Sequence, residues 1–326
     1  MNAAPLPVPI DPDLSAERGA NGQPDHVVSA VVPTRDRPIM VRRAIESILA
    51  QDHPGPIEVI VVFDGTEPDQ SLVSTRPGRT VRVLGNARTP GLAGGRNTGI
   101  LAARGNVIAF CDDDDHWLPG KLRAQLDALD DDPHAEFVTT AMTVDYDGRR
   151  TDRLAGCDQV SHQQLISSRM AMLHSSTFVV RRDALVDDIG LVDETLPRSM
   201  AEDWDLLLRA ARRRPIVHVD RPLVDVTWGA TSYFADQWQI RNEARLWLLE
   251  HHPEISRDER GAALHFSKLA FGHAALGQRR EAMRWSARAF RRNPREPRTV
   301  LALLVATRLV RWEFVVRMLN TRGRGI

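Results

Sequence analysis

Five apolar residues, Val107-Ile108-Ala109-Phe110-Cys111, run straight into four consecutive aspartates, Asp112 to Asp115, and then into His116-Trp117-Leu118-Pro119. A short apolar run bounded by charge reads as a strand buried on both faces. Four carboxylates gathered at a strand end repel one another and are costly to hold together without a cation. The pattern points to a divalent ion at the C-terminal edge of a parallel sheet. Mg²⁺ or Mn²⁺ fits best, because hard ions prefer oxygen ligands and keep positions open for phosphate. The plainer alternative is an acidic loop that caps the next helix. A calcium loop of the EF-hand kind is excluded, since the segment lacks alternating ligands, a mid-loop glycine and a terminal glutamate.

The flanking sequence supplies the rest of such a sheet. Val27 to Val32 is a β-branched run that stops at Pro33, and Ile57 to Phe63 is a second, ending at Asp64-Gly65. Thr80 to Leu84 predicts a short third strand. Between the first two strands, Val41, Ala44, Ile45, Ile48 and Leu49 fall at helical spacing, with Pro38 suited to the first turn. Gly91 to Gly95 reads as a flexible loop and Arg96 to Arg104 as a short helix. Leu118, Leu122, Leu126 and Leu129 mark another helix; Phe137 to Val144, Ser176 to Val180 and Ile216 to Val219 predict further strands. Asp203 to Arg213 predicts a helix with an acidic start and a basic end, as the macrodipole favours. Strands alternating with helices imply an α/β, doubly wound, mostly parallel sheet. Ligands of such sheets bind beyond the carboxyl ends of the strands, where Asp64 and Asp112 to Asp115 both fall.

At 326 residues the chain has room for one large α/β domain and a helical appendage. Residues 1–24, rich in Pro, Asp and Gly, read as a disordered leader, 25–232 as the α/β domain, and 233–326 as a helical region. No stretch reaches the roughly 18 apolar residues of a membrane span. Two cysteines, Cys111 and Cys157, make no disulfide framework, so a reduced, cytoplasmic setting is expected. Formal net charge is zero, yet the charges are unevenly placed. From Arg279 onward stand 13 Arg and 3 Glu with no Lys or Asp, giving +10 there and −10 over residues 1–278. A basic tail on an acidic body suggests an anionic surface as partner, either membrane phospholipid (peripheral, at the inner face of the plasma membrane) or nucleic acid; the alternative is an Arg-rich solvated helical face.

Taken in order, Val31-Val32-Pro33-Thr34, Ile60-Val61-Val62-Phe63-Asp64-Gly65, Gly95-Arg96-Asn97-Thr98-Gly99, Asp112 to Asp115 and Glu202-Asp203-Trp204-Asp205-Leu206 form a signature. From about Val27 to Thr227 the chain resembles family 2 glycosyltransferases of the GT-A fold. The family often carries two acidic residues before the glycine of the second strand. Here Phe63 takes the first place, which leaves Asp64 as the one carboxylate for a base.

The resemblance implies metal-dependent transfer of a sugar, with inversion, from a nucleoside-diphosphate sugar (a UDP-sugar first) to a hydroxyl of a glycan, a lipid-linked intermediate or a small metabolite. It implies Asp112 and Asp114 as metal-contacting positions, with Asp113 and Asp115 supporting them or touching the ribose. Pro33, Thr34, Arg35 and Asp36 would wrap the base and ribose. Asp64 would accept from the base, although an Asp-Gly turn needs no ligand. Arg96 would line the base or phosphate wall, or else only pair with the aspartates. Asp203 is implied as the general base and Glu202 as its support; an acidic first helical turn is the structural alternative. His174, before Ser175-Ser176, falls in a segment expected to face the acceptor, and His116 is not needed by a carboxylate-fed metal. The Gly91–Gly95 loop is no Walker A sequence. A sugar nucleotidyltransferase and a non-catalytic nucleotide- or carbohydrate-binding scaffold are the competing classes. The first calls for a Gly-rich, basic loop after the first strand, where Arg35 and Arg37 stand too sparsely. Retention of both acidic groups speaks against the second. No nucleic-acid partner is expected.

In the C-terminal region, Phe266, Leu269, Ala270, His273 and Ala274 share a helical face, as do Ala282, Trp285, Ala289 and Phe290, with Gly277 between them. That is one tetratricopeptide-like helix pair, too little for a repeat array. Val300 to Val316, interrupted by Arg308 and Arg311, reads as an amphipathic stretch that could meet a membrane interface, pack on the rest of the chain or form a homodimer contact.

Overall fold

The computed structural model describes residues 26–146, 148–228 and 237–321. The expected leader, 1–24, and the expected boundary at 232/233 lie outside them. In chain order the elements are β1 (Val28–Thr34), α1 (Pro38–Leu49), β2 (Ile57–Phe63), β3 (Ser74–Arg76), β4 (Arg79–Gly85), α2 (Leu92–Ala102) and β5 (Val107–Phe110). Then come β6 (His116–Trp117), α3 (Lys121–Asp131), β7 (Phe137–Tyr146), β8 (Arg149–Arg153), β9 (Gln159–Val160), α4 (His162–Ser167) and β10 (Val179–Arg181). α5 (Glu202–Arg213) and β11 (Ile216–Trp228) close the sheet. The helices α6 (Trp238–His251), α7 (Pro253–Arg257), α8 (Glu259–Ala275), α9 (Arg279–Arg292), α10 (Pro297–Ala306) and α11 (Trp312–Thr321) follow.

The sheet runs β3-β4-β2-β1-β5-β10-β7-β11-β6, with β8 on β7 and β9 on β11. β4, β2, β1 and β5 form a continuous parallel block. Beyond it the short β10 is antiparallel to both β5 and β7, which restores β7 and β11 to the direction of β1. The sheet is therefore mixed, with its long strands sharing one direction. Residue alternation divides its faces. Val31, Ile60, Ile108 and Phe110 pack toward α2, α4 and α5; Val32, Val61, Ala109 and Cys111 pack toward α1 and α3. The second half carries more structure than its sequence announced. β11 reaches Trp228 through register shifts on either side of Pro222, the first of which absorbs Asp220 and Arg221, and the Ser176–Val180 strand begins only at Val179, after a 3₁₀ turn over Ser175–Thr177.

Two local features position the site. Pro33 lies inside β1 and faces the β5 side, but beyond the last rung at Val31–Phe110, so its missing N–H costs no ladder bond. Gly91 to Gly95 is not a flexible loop: Gly91, at φ 120°, precedes α2, and Leu92 to Gly95 form its first turn. A Cβ on Gly99 would stand 2.3 Å from Val31 Cγ1, and one on Gly94 would stand 1.9 Å from the Thr89 carbonyl. The glycines let α2 lie close on β1. That close approach carries Arg96 under the sheet edge.

Val300 to Val316 is not one helix. It breaks between α10 and α11, with Arg308 at φ 60°, and Ala302, Val305, Ala306 and Val315 pack with Trp238 and Phe271. The helix pair α8–α9 forms as expected. Among the described residues no helix is long and apolar enough to cross a membrane.

Candidate active site

The carboxyl ends of β1, β2 and β5 place their loops side by side. Asp64, at the end of β2, is buried and accepts from Asn86 Nδ2 (2.8 Å) and from the Gly91 N–H (3.1 Å). Arg35 Nη1 stands 4.0 Å from it. Thr34, the last residue of β1, donates to Asp113 Oδ2 at 2.7 Å. Asp36 turns the chain at φ 55°, and Arg37 donates to both Asp113 (2.9 Å) and Asp114 (2.7 Å). Asp113 and Asp114 thus share the Arg37 guanidinium.

Arg96 is the hub of the site. It is 2% exposed, and its guanidinium donates to Asp112 Oδ1 (2.6 Å), to Ser175 Oγ (3.1 Å) and, in a very short contact, to Glu202 Oε1. Its anionic partners thus come from two loops, Asp112 after β5 and Glu202 at the start of α5. Burial opposes its charge, but Asp112 and Glu202 outweigh burial and raise its pKa. In return, burial would raise Asp112, yet Arg96 and His174 hold it below the ordinary carboxylate value. Glu202 goes the other way. Its burial beside Asp203 and Asp112 lifts it to about 7 despite Arg96.

Glu202 and Asp203 open α5. Arg198, Ser199 and Ala201 just before it all have positive φ (54°, 56° and 68°), a rare run for non-glycine residues that stores strain next to the acidic pair. Asp203 accepts from Arg169 Nη2 at 2.5 Å and from the Trp204 N–H at 2.7 Å. Arg96, Phe110, Ser175, Phe178, Glu202, Asp203 and Leu206 line one small cavity behind this rim.

His174 sits against the aspartates, with Nδ1 3.3 Å from Asp115 and Nε2 3.9 Å from Asp112. Burial would lower its pKa, but Asp115 and Asp112 raise it to about 9. Ligand atoms of Asp112, Asp115 and His174 lie within 4.8 Å of one another, a spacing that suits one ion. Asp114 is raised to about 7 by burial and by Asp115 and Asp112, with Arg37 offsetting only part. Negative charge here is under-compensated, and the donor set is oxygen-rich; both fit Mg²⁺ or Mn²⁺. His116 is exposed.

Thr34, Asp64, Arg96, Asp112 to Asp115, His174, Glu202 and Asp203 come together at this edge, whereas His116 does not, and Arg37, Asn86, Ser176 and Arg169 were not foreseen beside them. Ser176 donates to Asp115 at 2.5 Å and accepts from the Asp112 N–H at 2.9 Å. The Ser175-Ser176 pair after His174 was the available signal. Arg169, 34 residues from its partner, left none.

Residues 29–187 match the family model described as "Glycosyl transferase family 2". The fold is that of GT-A glycosyltransferases, and over that segment, just under half of the chain, the protein matches glycosyl transferase family 2. It is similar to the succinoglycan biosynthesis protein ExoO of Rhizobium meliloti (strain 1021), at 37% identity over 123 residues, which are 37% of this chain and 35% of that protein. The match thus spans about a third of that relative's length. Among solved structures, Staphylococcus aureus TarS 1-349 in complex with UDP-GlcNAc superposes at a TM-score of 0.57 with 18% identity, covering 82% of this chain and 81% of that one. The mannosyltransferase PcManGT of Pyrobaculum calidifontis, in complex with GDP-Man and Mn²⁺, gives 0.56 and 16%, covering 90% and 87%. Identities this low speak for the fold alone.

Proposed function

We propose that this protein transfers a sugar, with inversion, from a nucleoside-diphosphate sugar (a UDP-sugar first) to a hydroxyl of a glycan, lipid-linked or small-molecule acceptor. The observation that carries it is a row of carboxylates at one sheet edge: Thr34 accepts from the Asp64 N–H and donates to Asp113, and Arg96 joins Asp112 to Glu202 beside Asp203. A donor laid along the rim has its base at Asp64 and its diphosphate at the aspartates. Asp64 spends one bond on each oxygen and, as a carboxylate, has lone pairs left for a base N–H. Pro33, Thr34, Arg35 and Asp36 flank the nucleoside. Asp112 and Asp114 would hold Mg²⁺ or Mn²⁺, with Asp115 and His174 beside them; when bound, the ion supplies Lewis-acid stabilisation of the leaving diphosphate. PcManGT, which binds GDP-Man with Mn²⁺, and TarS, which binds UDP-GlcNAc, support this donor class.

Attack must come from the face opposite the diphosphate, so the base belongs across the cavity from Asp112. Asp203 fills that role. Its bond to Arg169 orients it, and burial raises the neighbouring Glu202 to about 7, which eases repulsion between the adjacent carboxylates. The similarity to a succinoglycan biosynthesis protein supports a glycan or lipid-linked acceptor. A cytoplasmic protein at the inner face of the plasma membrane fits that acceptor. The exposed Leu309 and Phe314 beside Arg308 and Arg311 offer a basic, apolar edge for anionic lipid.

Donor turnover with and without Mn²⁺ tests the reading. Release of the nucleoside diphosphate in Mn²⁺ is expected; pyrophosphate release would instead mark a nucleotidyltransferase, and no release a binding scaffold. Asp203→Asn should keep UDP-sugar binding and slow transfer by about a hundredfold or more. Asp114→Ala should remove the Mn²⁺-dependent part of the thermal shift given by UDP-, GDP- and dTDP-sugars. Near-normal turnover by Asp203→Asn would remove that residue from the role of base.

A further inference from the structure

Asp64 is oriented by a loop that takes no part in the transfer chemistry itself. Its carboxylate is 13% exposed, and each oxygen already accepts one bond, Oδ1 from Asn86 Nδ2 at 2.8 Å and Oδ2 from the Gly91 N–H at 3.1 Å. Tied at both oxygens, the group is kept from rotating. Arg35, at 4.0 Å and 59% exposed, is too distant to hydrogen-bond and adds little to that hold. Asn86 has no freedom of its own. Its Nδ2 also donates to the Thr89 carbonyl at 3.0 Å, while Oδ1 accepts from the Arg88 N–H and from Thr98 Oγ1, both at 3.0 Å. Both amide hydrogens and both lone pairs are thus in use. A flipped amide would set its oxygen against the Asp64 carboxylate and the Thr89 carbonyl, so the partners fix its orientation.

A second set of bonds holds the loop. Residues 87–90 are all exposed, so no buried side chain anchors them. Glu194, on the segment before α5, reaches them from the far side. It accepts from Arg88 Nε in a very short contact, from the Thr89 N–H at 3.2 Å and from Asn97 Nδ2 at 2.7 Å. Asn97 lies on α2 and exchanges bonds with Val192, donating to its carbonyl at 2.8 Å and accepting from its N–H at 3.0 Å. Glu194 therefore clamps the loop while its own segment is pinned to α2. Asp64, Asn86, the Arg88–Thr89 turn and Glu194 form one continuous chain of bonds.

We propose that Asn86 and Glu194 are positioning residues for the donor base, and that by fixing Asp64 they restrict the donor to bases with a ring N–H. This rests on the reading of Asp64 as the acceptor for the base. A carboxylate offers only lone pairs. Uracil, thymine and guanine carry a ring N–H beside a carbonyl and satisfy it. Cytosine and adenine present a ring lone pair at the same place, which leaves two acceptors facing each other. That rejection is only as strong as the carboxylate is fixed. A carboxylate free to rotate turns aside and accepts instead from the exocyclic amino group of cytosine or adenine. The bonds from Asn86, held in turn by Glu194, keep it from turning.

The test compares nucleotides that differ at this edge, UDP with CDP and GDP with ADP, titrated into the full chain in Mn²⁺. In whichever pair binds more tightly, the wild type should favour the N–H-bearing member by about tenfold or more. Asn86→Ala should weaken that member, leave CDP or ADP nearly unchanged and bring the ratio close to one. Glu194→Ala removes no contact to Asp64, yet it should move the ratio the same way. Glu194→Gln loses the charge that holds Arg88 but keeps an acceptor, and should move the ratio part of the way. A merely structural role would instead lower the melting temperature and weaken both members of the pair alike. The proposal is overturned if Asn86→Ala weakens both members equally, or if neither Glu194 variant changes the ratio. Should the wild type bind no nucleotide, or bind both members of each pair equally, the assignment of Asp64 to a base falls instead.

Discussion

The ammonium of Lys121 lies fully buried, 3.9 Å from the centroid of the Trp117 ring, and Nζ has no hydrogen-bond partner. Burial lowers its pKa from 10.5 to about 7. Between those values an unfolded chain holds a proton that the native state has released, so this residue makes stability climb as pH rises from about 7 toward 10. Below about 7 both states are charged and the full burial cost remains. Lys121→Met, of similar length and apolar, should raise stability at pH 7 and flatten that climb; parallel urea titrations of both proteins across this range would show it. A lysine in the first turn of a helix gives no hint of such burial in sequence. Arg96, by contrast, was legible as a candidate because it sits in a motif, although which anions it meets depended on the approach of α2 to α5. Asp112, Glu202 and Asp203 were legible for the same reason. Arg37 and Arg169 were not, because their partners are chosen by tertiary approach across 76 and 34 residues.

At the scale of elements, apolar continuity made β1, β2 and β5 readable almost to the residue, since strands buried on both faces leave no polar alternation to misread. α2 was misread for a physical reason. Glycine frees the backbone, but Gly94, Gly95 and Gly99 are needed here for their missing side chains, and a single sequence does not separate the two uses. Gly99→Ala gives the decisive contrast. Alanine favours a helix interior by about 1 kcal/mol, yet its Cβ would stand 2.3 Å from Val31 Cγ1, in a strand with no room to retreat. The clash should win, with a net loss of about 1–3 kcal/mol in urea unfolding and weaker donor binding as Arg96 shifts. Val31→Ala in the same chain should recover much of that loss. β11 was half-legible: Asp220, Arg221 and Pro222 look like a strand's end, and only the pairing with β7 carries the strand through them.

At the scale of the molecule, the helical region divides in two. Leu248 on α6 and Ile255 on α7 join the core that packs under α2 and α5, while α8 to α11 build a separate core around Phe271 and Ala302. His252, between α6 and α7, ties the first of these parts further to α5, donating to Asp205 at 2.9 Å with both side chains 2% exposed. The sequence marked this region as helical but could not say which helices belong to the α/β core, because helical spacing identifies a buried face and not what covers it. The packing predicts that α6 and α7 unfold with the sheet. Ile255 is 0% exposed, so Ile255→Ala should cost about 2–5 kcal/mol through lost burial and a residual cavity. That loss should move the whole denaturation curve as one transition, and circular dichroism and the fluorescence of Trp204 and Trp117 should report the same midpoint. Val315→Ala, in the outer core, should lower a helical transition with little change in donor affinity, because no rim residue rests on it. Two coincident midpoints for Ile255→Ala would establish that the first helices after β11 are structural members of the catalytic fold. Separated midpoints would show instead that the sheet stands without them, and that the Asp205–His252 pair adds nothing to its stability.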